Sequence, residues 1–450
     1  MALTGLQIYK LLPKTNCGDC NFPTCMAFAM QLAAKKVSLD QCPHVSEEAR
    51  KALAEASAPP MKLVRIGEGE NRLEVGQETV LFRHEEKFYH PTGVAILVED
   101  SLSDEEIDRK IDAISKLKFT RVGEQIGVDL VALRHVSSDG GRYSQLAAKI
   151  QEKTGLPLIL ICQDTSLLED ALKKVGDKRP LLYAATKDNF ERMASLAKSY
   201  NCPLSVRAES LEELADLTQN IKKMGVDELV LDPDTRETGK ALCELTKLRR
   251  LALKKVFRPL GYPVIIFTSE DNPFQEVAQA TTYVCKYASI VVMKAETPWQ
   301  ILPLLTVRQN IYTDPQVPNA VEAKLYEIGA VTPKSPVIVT TNFSLTYFTV
   351  ESEVENSKVP TYISVVDTEG LGVLNAYAGD KWSPEKIAKT LEAQKVREKV
   401  EHNAIIIPGL VAVFRAELEE EFGWKVLVGP EEAARIPSFL KNEWKKVISE

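Results

Sequence analysis

A repeat that begins at Gly93 limits the possible folds more than any other part of the sequence: short continuous apolar runs alternate with helical segments. The runs are VAILVE (94–99), VDLVALR (128–134), LPLILIC (156–162), PLLYAA (180–185), PLSVRA (203–208), ELVLD (228–232), PVIIFT (263–268) and SIVVMK (289–294). Strands that are apolar along their whole length belong to parallel sheets covered by helices on both faces. Eight such units predict a central TIM (β/α)8 barrel over residues 93–315, and a doubly wound open sheet is the alternative.

The residues directly after the predicted strands would line the face at which barrel enzymes place their active sites. They are Glu99, Asp100, Arg134, His135, Asp164, Arg207, Asp232, Asp234, Ser269 and Lys294. Polar residues follow barrel strands as caps and turns in any case, and the sequence shows no metal-ligand spacing, P-loop or nucleophile elbow here. We therefore interpret the barrel as a scaffold and docking surface, with catalysis at DPDT (232–235) as the alternative.

Four cysteines near the N-terminus form the densest chemical motif. Cys17, Cys20 and Cys25 lie within TNCGDCNFPTC, and Cys42 follows in DQC, which gives the spacing C-x2-C-x4-C-x16-C. Closely spaced thiolates suit a metal centre better than a disulfide framework in a reducing compartment. Structural zinc sites usually combine two Cys-x2-4-Cys pairs, and here the second pair is broken. The spacing favours a 4Fe–4S cluster, with zinc or no metal as alternatives. The remaining cysteines lie in or beside apolar segments and are expected to be inert core thiols: Cys162, Cys202, Cys243 and Cys285.

The cysteine motif lies in a predicted small helical domain of residues 1–57. This domain would contain GLQIYKLL (5–12), a helix over PTCMAFAMQLAAKK (23–36) and a third helix from Ser46, a residue type favoured at helix N-termini. So small a core needs the additional stabilisation that a metal cluster supplies. APP (58–60) interrupts the helical pattern, and residues 58–92, with KLVRI, RLEV and ETVLFRH, are predicted to form a β-rich linker.

Residues 325–446 carry a further set of apolar runs, namely PVIVTT (336–341), TYISVVD (361–367), NAIIIP (403–408) and KVLVG (425–429). Helical segments such as SPEKIAKTLEAQKV (383–396) separate them, which predicts an open Rossmann-like α/β domain. Ligands of such sheets bind beyond the carboxyl ends of the strands. Those ends are TTNFSLTYF (340–348), DTEGLGVLNAYAGD (367–380), PGL (408–410) and GPEEA (429–433).

The glycine-rich segment EGLGVLNAYAG (369–379) is not a dinucleotide fingerprint, because Asn375 stands where G-x-G-x-x-G requires its last glycine. A flat, largely apolar cofactor with peripheral amides fits these loops better. Glycines let the backbone approach such a cofactor, and backbone N–H and C=O groups can pair with its amides. Glycines that only form turns are the alternative.

Charge and hydropathy exclude two classes of function. The net charge of −7 gives no electrostatic reason to expect nucleic-acid binding. No apolar run approaches the roughly 18 residues of a membrane span, and MALTGLQIYKLLPK lacks the basic region and cleavage site of a signal peptide. We expect a cytoplasmic protein with neither nucleic acid nor membrane as a partner.

Together, TNCGDCNFPTC…DQC, the barrel, TTNFSLTYF and EGLGVLNAYAGDKW resemble the large (gamma) subunits of the corrinoid iron–sulfur proteins of the acetyl-CoA (Wood–Ljungdahl) pathway. The resemblance covers essentially the whole chain. It implies a cobalamin-type corrinoid, with its cobalt, bound by residues 325–446, in addition to a 4Fe–4S cluster on the four cysteines. It also implies four partners: a small barrel subunit completing a heterodimer, a methyltetrahydrofolate methyltransferase, acetyl-CoA synthase and a low-potential electron donor.

The function implied by the resemblance is that of a methyl carrier. Co(I) accepts a methyl group from methyltetrahydrofolate held on the methyltransferase and delivers it to acetyl-CoA synthase, and the cluster reduces inactive Co(II) back to Co(I). The chemistry belongs to the cofactor, so no catalytic side chain is expected, and whether the chain counts as an enzyme stays open. Two alternatives remain, a pterin methyltransferase built on Asp100, Asp232 or Asp234 of the barrel, and a ferredoxin-like electron-transfer protein without corrinoid.

The corrinoid contacts follow from the resemblance, segment by segment. They are Thr341, Ser344, Leu345, Thr346 and Phe348 after the first strand, Gly370, Leu371, Gly372, Val373, Leu374, Ala378 and Gly379 after the second, and Pro408, Gly409, Gly429 and Pro430 after the last two. Their expected roles are backbone hydrogen bonds to the amide fringe and apolar cover for the nucleotide tail.

Two further expectations concern the cobalt and its reduction. Many corrinoid proteins hold cobalt through Asp-x-His-x-x-Gly, and none of the five histidines lies in that motif. The cobalt is therefore predicted to lack a histidine ligand. Because the cysteine motif and the corrinoid loops are far apart in sequence, residues 1–57 are predicted to swing about the segment around APP.

Overall fold

The computed structural model of the chain describes residues 5–33, 37–47, 49–50, 53, 59–137, 139–444 and 446. The chain divides into two compact units. The first comprises residues 1–118 and 127–312, and the second comprises residues 119–126 and 313–450. Over the described residues, no helix combines the length and the apolar content that crossing a membrane requires.

The N-terminal segment contains two helices, α1 (Gly5–Leu11) and α2 (Cys25–Ala33). Ile8 of α1 and Phe28 of α2 are buried in one small core that also contains three of the motif cysteines. Ser46 Oγ accepts the N–H of Ala49 at 3.1 Å, as expected for an N-cap. The rest of the predicted third helix and the start of APP lie partly outside the described residues.

The predicted β-rich linker contains one antiparallel hairpin, β1 (Leu63–Ile66) and β2 (Leu73–Gly76). Its buried residues Val64, Ile66 and Val75 share a core with residues inside the barrel, so the hairpin covers one end of that core. ETVLFRH, all of it described, forms no strand. Instead the Glu78 carboxylate accepts the N–H groups of Tyr89 and His90, which holds this segment as a loop.

Eight parallel strands form the barrel, as the apolar runs predicted. They alternate with helices and one inserted hairpin in the chain order β3 (Gly93–Glu99), α3 (Asp104–Ser115), β4 (Lys118–Arg121), β5 (Glu124–Gly127), β6 (Leu130–Arg134), α4 (Gly140–Thr154), β7 (Leu158–Ile161), α5 (Thr165–Val175), β8 (Leu181–Ala185), α6 (Phe190–Ser199), β9 (Leu204–Arg207), α7 (Leu211–Lys223), β10 (Leu229–Asp232), α8 (Thr238–Leu253), β11 (Ile265–Phe267), α9 (Pro273–Cys285), β12 (Ile290–Met293) and α10 (Pro298–Ile311).

The barrel sheet has the order β10-β9-β8-β7-β6-β3-β12-β11. A parallel bridge between Leu231 and Val264 joins its two ends, and the N–H of Leu231 donates to the carbonyl of Pro263 at 2.8 Å. Apolar side chains such as Ala95, Leu130 and Ile159 fill the interior. The barrel interior is therefore a packed apolar core, as expected for strands that are apolar along their whole length.

The hairpin β4–β5 interrupts the barrel repeat, and its residues 119–126 belong to the second unit. The turn has positive φ at Val122 and Gly123. A Cβ atom on Gly123 would lie 2.1 Å from the ring of Phe348, so a side chain there would clash. This hairpin was not predicted from the sequence, because its turn lacks the usual Asn-Gly or Asp-Gly pair.

The second unit is built on a five-stranded sheet in the order β13-β15-β14-β16-β17. Its elements are β13 (Leu325–Ile328), β14 (Val337–Thr341), α11 (Ser344–Ser357), β15 (Thr361–Val366), α12 (Val373–Ala378), α13 (Pro384–Ala393), α14 (Val396–Lys399), β16 (Ala404–Ile407), α15 (Arg415–Glu420), β17 (Lys425–Val428) and α16 (Ile436–Asn442). The four predicted strands are parallel, and β13 adds an antiparallel edge. The strand order reverses between β14 and β16, which is where open α/β sheets bind ligands.

Candidate functional site

The cysteine loop is shaped by backbone conformations that few residues adopt. Asn16, Gly18 and Asn21 all have positive φ, with values of 51°, 84° and 64°, and Gly and Asn are the residues that tolerate this region best. Asn16 Oδ1 also accepts the N–H of Cys25, the first residue of α2, at 2.8 Å. The loop is therefore fixed to the start of the helix by its own sequence.

The four motif thiols differ in exposure: Cys20, Cys25 and Cys42 are buried in the small core, and Cys17 is exposed. No three of these four sulfur atoms, all within the described segments, lie within 4.8 Å of one another. A single zinc ion draws its ligands onto one atom, whereas a cubane spreads four sulfurs over four irons. The spacing of the four thiols along the chain fits an iron–sulfur cluster better than the two Cys-x2-4-Cys pairs of a structural zinc site.

A second group of metal-ligating side chains surrounds the exposed thiol. Ligand atoms of Cys17, Asp19 and His44 lie within 4.8 Å of one another, and all three residues are exposed. His44 Nε2 and Asp19 Oδ2 are 2.6 Å apart. Hydrogen bonds from His44 and Cys17 hold the pKa of Asp19 below its usual value. The carboxylate and imidazole already bond to each other, so they form a polar rim beside Cys17.

Two of the remaining cysteines behave as the sequence predicted, and two do not. Burial raises the pKa of Cys162 to about 11 and that of Cys202 to about 12, so both thiols stay protonated at neutral pH. Cys243 and Cys285 are exposed, because they lie on outward-facing positions of α8 and α9. The expectation that these two are core thiols was wrong.

A groove of about 490 Å³ opens in the second unit at the reversal of strand order. Ile338 and Thr340 of β14 and Ile406 of β16 contribute to its lining, together with Ile436 and Phe439 of α16. Its volume falls within the range of small-molecule sites, and most of its lining is apolar.

Half of the sixteen residues predicted as corrinoid contacts line this groove. They are Leu345, Thr346, Gly372, Val373, Leu374, Pro408, Gly429 and Pro430. Leu345, Leu374 and Pro408 come from three different strand ends, so the fold brings together segments that the sequence predicted separately. Leu345 and Leu374 remain exposed at the mouth of the groove.

The other eight predicted contacts lie outside the groove lining. They are Thr341, Ser344, Phe348, Gly370, Leu371, Ala378, Gly379 and Gly409. Several of them have structural partners: Ser344 Oγ donates to Asn319 Oδ1 at 3.2 Å, and the N–H of Gly370 donates to Asn342 Oδ1 at 3.0 Å. Ala378 and Gly379 are exposed where α12 ends.

Gly409 bounds the groove indirectly, through a close approach of two loops. A Cβ atom there would lie 2.7 Å from the carbonyl oxygen of Gly429 and 2.9 Å from the backbone nitrogen of Glu431. The N–H of Gly409 donates to the carbonyl of Pro430 at 3.2 Å. The loops after β16 and β17 can lie this close only because no side chain stands between them.

Sequence reasoning missed thirteen of the lining residues, among them Thr340, Ile436 and Phe439. Alternation along β14 offered a signal for Thr340, since it shares a face with Ile338 two residues earlier. The α16 residues carried none, because they follow the last predicted loop and reach the groove only through the fold of the unit.

The one histidine of residues 313–450 is His402. It precedes β16, whereas the groove lies beyond the carboxyl end of that strand. Its Nε2 atom is 2.9 Å from the carbonyl of Ser335, and its Nδ1 atom accepts the N–H of Ala404 at 3.2 Å. Both ring nitrogens are therefore occupied away from the groove.

The carboxylates at the mouth of the barrel are also fully engaged. Asp232 is buried, accepts the hydroxyl of Tyr183 at 2.5 Å and pairs with Arg236 through both oxygens, at 2.8 and 3.0 Å. Asp100 accepts the N–H groups of Val136 and Ser137 at 2.7 and 2.8 Å. Burial raises the pKa of Asp100, but these hydrogen bonds outweigh it and leave that pKa below its usual value.

Comparison with known proteins gives full-length relatives. The profile of the family CdhD, described as CO dehydrogenase/acetyl-CoA synthase delta subunit, matches residues 63–440, and that of a family described as "Putative Fe-S cluster" matches residues 12–44. The corrinoid/iron-sulfur protein large subunit of Moorella thermoacetica is 52% identical over 98% of this chain and 99% of its own length. The acetyl-CoA decarbonylase/synthase complex subunit gamma of Methanothermobacter thermautotrophicus is 38% identical over the same shares. Among solved structures, dihydropteroate synthase from Thermus thermophilus covers 56% of this chain and 100% of its own, at 17% identity and a TM-score of 0.39.

Proposed function

The chain belongs to the family of the corrinoid/iron–sulfur protein large subunit and the acetyl-CoA decarbonylase/synthase gamma subunits, and we propose that it is a methyl carrier. In this proposal it accepts a methyl group from methyltetrahydrofolate on a separate methyltransferase and delivers it to acetyl-CoA synthase. The observation that carries the proposal is the presence in one chain of a four-cysteine loop and an apolar groove at the switch point of an open sheet.

The two cofactors divide the chemistry. A bound corrinoid supplies the cobalt that takes up and releases the methyl group, and a 4Fe–4S cluster supplies the single electrons that return oxidised cobalt to its active state. The protein binds, orients and shields these groups.

Cys17, Cys20, Cys25 and Cys42 are the proposed ligands of the cluster. Three of them are buried in the small core, so cluster binding and folding of this segment are coupled. Cys17 lies at the surface, so an electron donor and acceptor would approach a cluster on these ligands there.

The groove of the second unit is the proposed corrinoid site. Its apolar lining suits the nucleotide tail, and Leu345 and Leu374 at its mouth offer apolar surface to the corrin ring. The loops that contain Gly372 and Gly429 line the groove and bring backbone close to where the amide fringe would lie. The position of His402 away from the groove supports a cobalt without a histidine ligand.

The heterodimer with a small barrel subunit is part of the same proposal, as is the low-potential electron donor. The names of the archaeal relatives describe them as subunits of a complex, which supports partner chains for this protein as well.

The geometry disfavours the rival methyltransferase function of the barrel. A carboxylate that polarises a pterin must have an oxygen free to bond it, and the oxygens of Asp232 and Asp100 are already bonded within the protein. Asp234 pairs with Arg236 at 3.4 Å. These side chains hold the loops of the barrel mouth together.

The proposal is tested by metal analysis and by a visible spectrum. Both are measured on protein that is co-expressed with its small subunit and purified anaerobically. We expect iron and cobalt in a ratio of about four to one, from one cubane and one corrinoid. Iron without cobalt would contradict the methyl carrier and support an electron-transfer protein. Zinc with neither iron nor cobalt would contradict both cofactor assignments.

A further inference from the structure

The groove contains a hydroxyl group that the protein leaves without a partner. Thr340 lines the groove and is 1% exposed. Within the described part of the chain, its Oγ1 atom has no hydrogen-bond partner. The nearby Thr349, which also lines the groove, differs because its hydroxyl donates to the carbonyl of Leu345 at 2.6 Å. An unpaired buried hydroxyl is unfavourable, and a ligand that supplies a partner would remove that cost.

Thr340 lies near the carboxyl end of β14, next to Ile338 and Val339, which also line the groove. Side chains alternate along β14, so Thr340 shares a face with Ile338, which packs with Val350 and Ile436 beside the groove. Thr341 faces the opposite side and does not line the groove, although its hydroxyl is also buried without a partner among the described residues. The two neighbouring threonines therefore differ in access to a ligand.

The part of a corrinoid that suits this environment is its nucleotide tail; this step rests on the proposed function. The corrin ring is broad and fringed with amides, whereas the tail ends in a narrow, flat base. Apolar side chains such as Ile338, Ile406 and Phe439 suit the faces of a flat base. The in-plane nitrogen of a benzimidazole accepts one hydrogen bond, which matches the single unpaired hydroxyl.

We propose that Thr340 is a specificity-determining residue that donates a hydrogen bond to the in-plane nitrogen of the corrinoid lower base. The bond would hold the base in the groove. Thr340 thus selects corrinoids whose lower base carries such a nitrogen.

The test measures the binding of three corrinoids to the full chain freed of cofactor. Quenching of tryptophan fluorescence reports the binding. The probes are cobalamin, cobinamide, which lacks the nucleotide tail, and p-cresolylcobamide, whose phenolic base has no in-plane nitrogen. Thr340→Val should weaken cobalamin binding about threefold to tenfold, the worth of one neutral hydrogen bond. Its affinity for cobinamide and p-cresolylcobamide should equal that of the unmodified chain.

Ser205→Ala is the matched control, because it also removes a buried hydroxyl that has no partner among the described residues, on β9 of the other unit. It should leave the preference for cobalamin over cobinamide unchanged. The melting temperature of the cofactor-free protein adds an independent readout. Thr340→Val should keep or raise it, since the valine replaces an unpaired hydroxyl with a methyl group.

A structural role for Thr340 would give the opposite pattern, with a lower melting temperature and equal loss of affinity for all three corrinoids. That pattern, or unchanged cobalamin affinity in Thr340→Val, would overturn the inference while leaving the methyl-carrier function intact. If the unmodified chain bound none of the three corrinoids, the proposed function would fail and the inference with it.

Discussion

At the scale of the residue, spacing and burial separate two kinds of cysteine in this chain: proposed cluster ligands and inert buried thiols. Cys17, Cys20, Cys25 and Cys42 lie on one loop and the turn after one helix. The pKa of Cys162 and of Cys202 is raised by burial, which keeps those thiols neutral. A thiolate, not a thiol, ligates metal. Spacing identified the first group, and the structure explains why two cysteines of the second are inert.

Replacing one motif cysteine should release iron. Cys25→Ser removes a thiolate at the first residue of α2, where Asn16 fixes the backbone. We expect iron per chain to fall below about half that of the unmodified protein, because cluster binding and folding are coupled. Iron analysis and the visible spectrum of the anaerobically purified protein measure this.

Cys162→Ser is the matched control, since Cys162 is buried in the barrel and bonds only the carbonyl of Asp164 among the contacts described for its thiol. Its iron content should remain that of the unmodified protein. Full iron retention in Cys25→Ser would remove Cys25 from the proposed ligand set.

At the scale of the element, the groove depends on how closely the loops after β16 and β17 approach each other. Gly409 allows that approach, because a Cβ atom would meet backbone atoms of Gly429 and Glu431. Backbone atoms cannot move aside as a flexible side chain can. The glycine therefore shapes a groove that it does not itself line.

Gly409→Ala should widen the separation of these loops and weaken corrinoid binding. Inserting a methyl group into such a contact costs about 1–3 kcal/mol. We expect less cobalt to remain bound after gel filtration, with iron unchanged, because the cysteine loop belongs to the other unit. The ratio of cobalt to iron measures the effect within one sample.

Gly141→Ala is the corresponding control on α4, where the nearest atom to an added Cβ is the Asp139 side chain at 3.3 Å. Alanine favours a helix over glycine, so this variant should keep both metals. Equal cobalt in Gly409→Ala and Gly141→Ala would show that the close approach of the loops does not govern the groove.

At the scale of the whole molecule, the proposed cluster ligands and the proposed corrinoid groove belong to two separate compact units. In the proposed function an electron passes from the cluster to the cobalt. Residues 1–57 belong to the same compact unit as the barrel, and their swinging about the segment around APP stays a prediction from sequence.

A rigid, photocleavable crosslink between residues 1–57 and the barrel should block reductive reactivation and spare methyl transfer by protein that is already reduced. The electron then cannot reach the cobalt, while the corrinoid stays accessible to its partners. Reactivation is measured as the recovery of Co(I) after a low-potential donor is added. The visible spectrum of Co(I) reports that recovery. Cleaving the crosslink should restore reactivation, and undiminished reactivation in the crosslinked protein would contradict the moving domain.

The sequence alone determined the elements whose chemistry is local. Continuous apolar runs specified all eight barrel strands and the four parallel strands of the second sheet, because a strand buried on both faces must be apolar along its whole length. Cysteine spacing predicted the cluster loop, because three of the four proposed ligands come from nine neighbouring residues.

Only the tertiary structure decided which residues share the groove. Leu345, Leu374 and Gly429 were predictable from loops at strand ends, whereas Phe439 reaches the groove because α16 packs against the sheet. Likewise, the acidic residues after the barrel strands were candidate catalytic groups in the sequence. In the structure Asp232 is hydrogen-bonded to Tyr183 and Arg236 instead. Periodicity records which face of an element is buried, but which partners meet there depends on contacts between residues far apart in the chain.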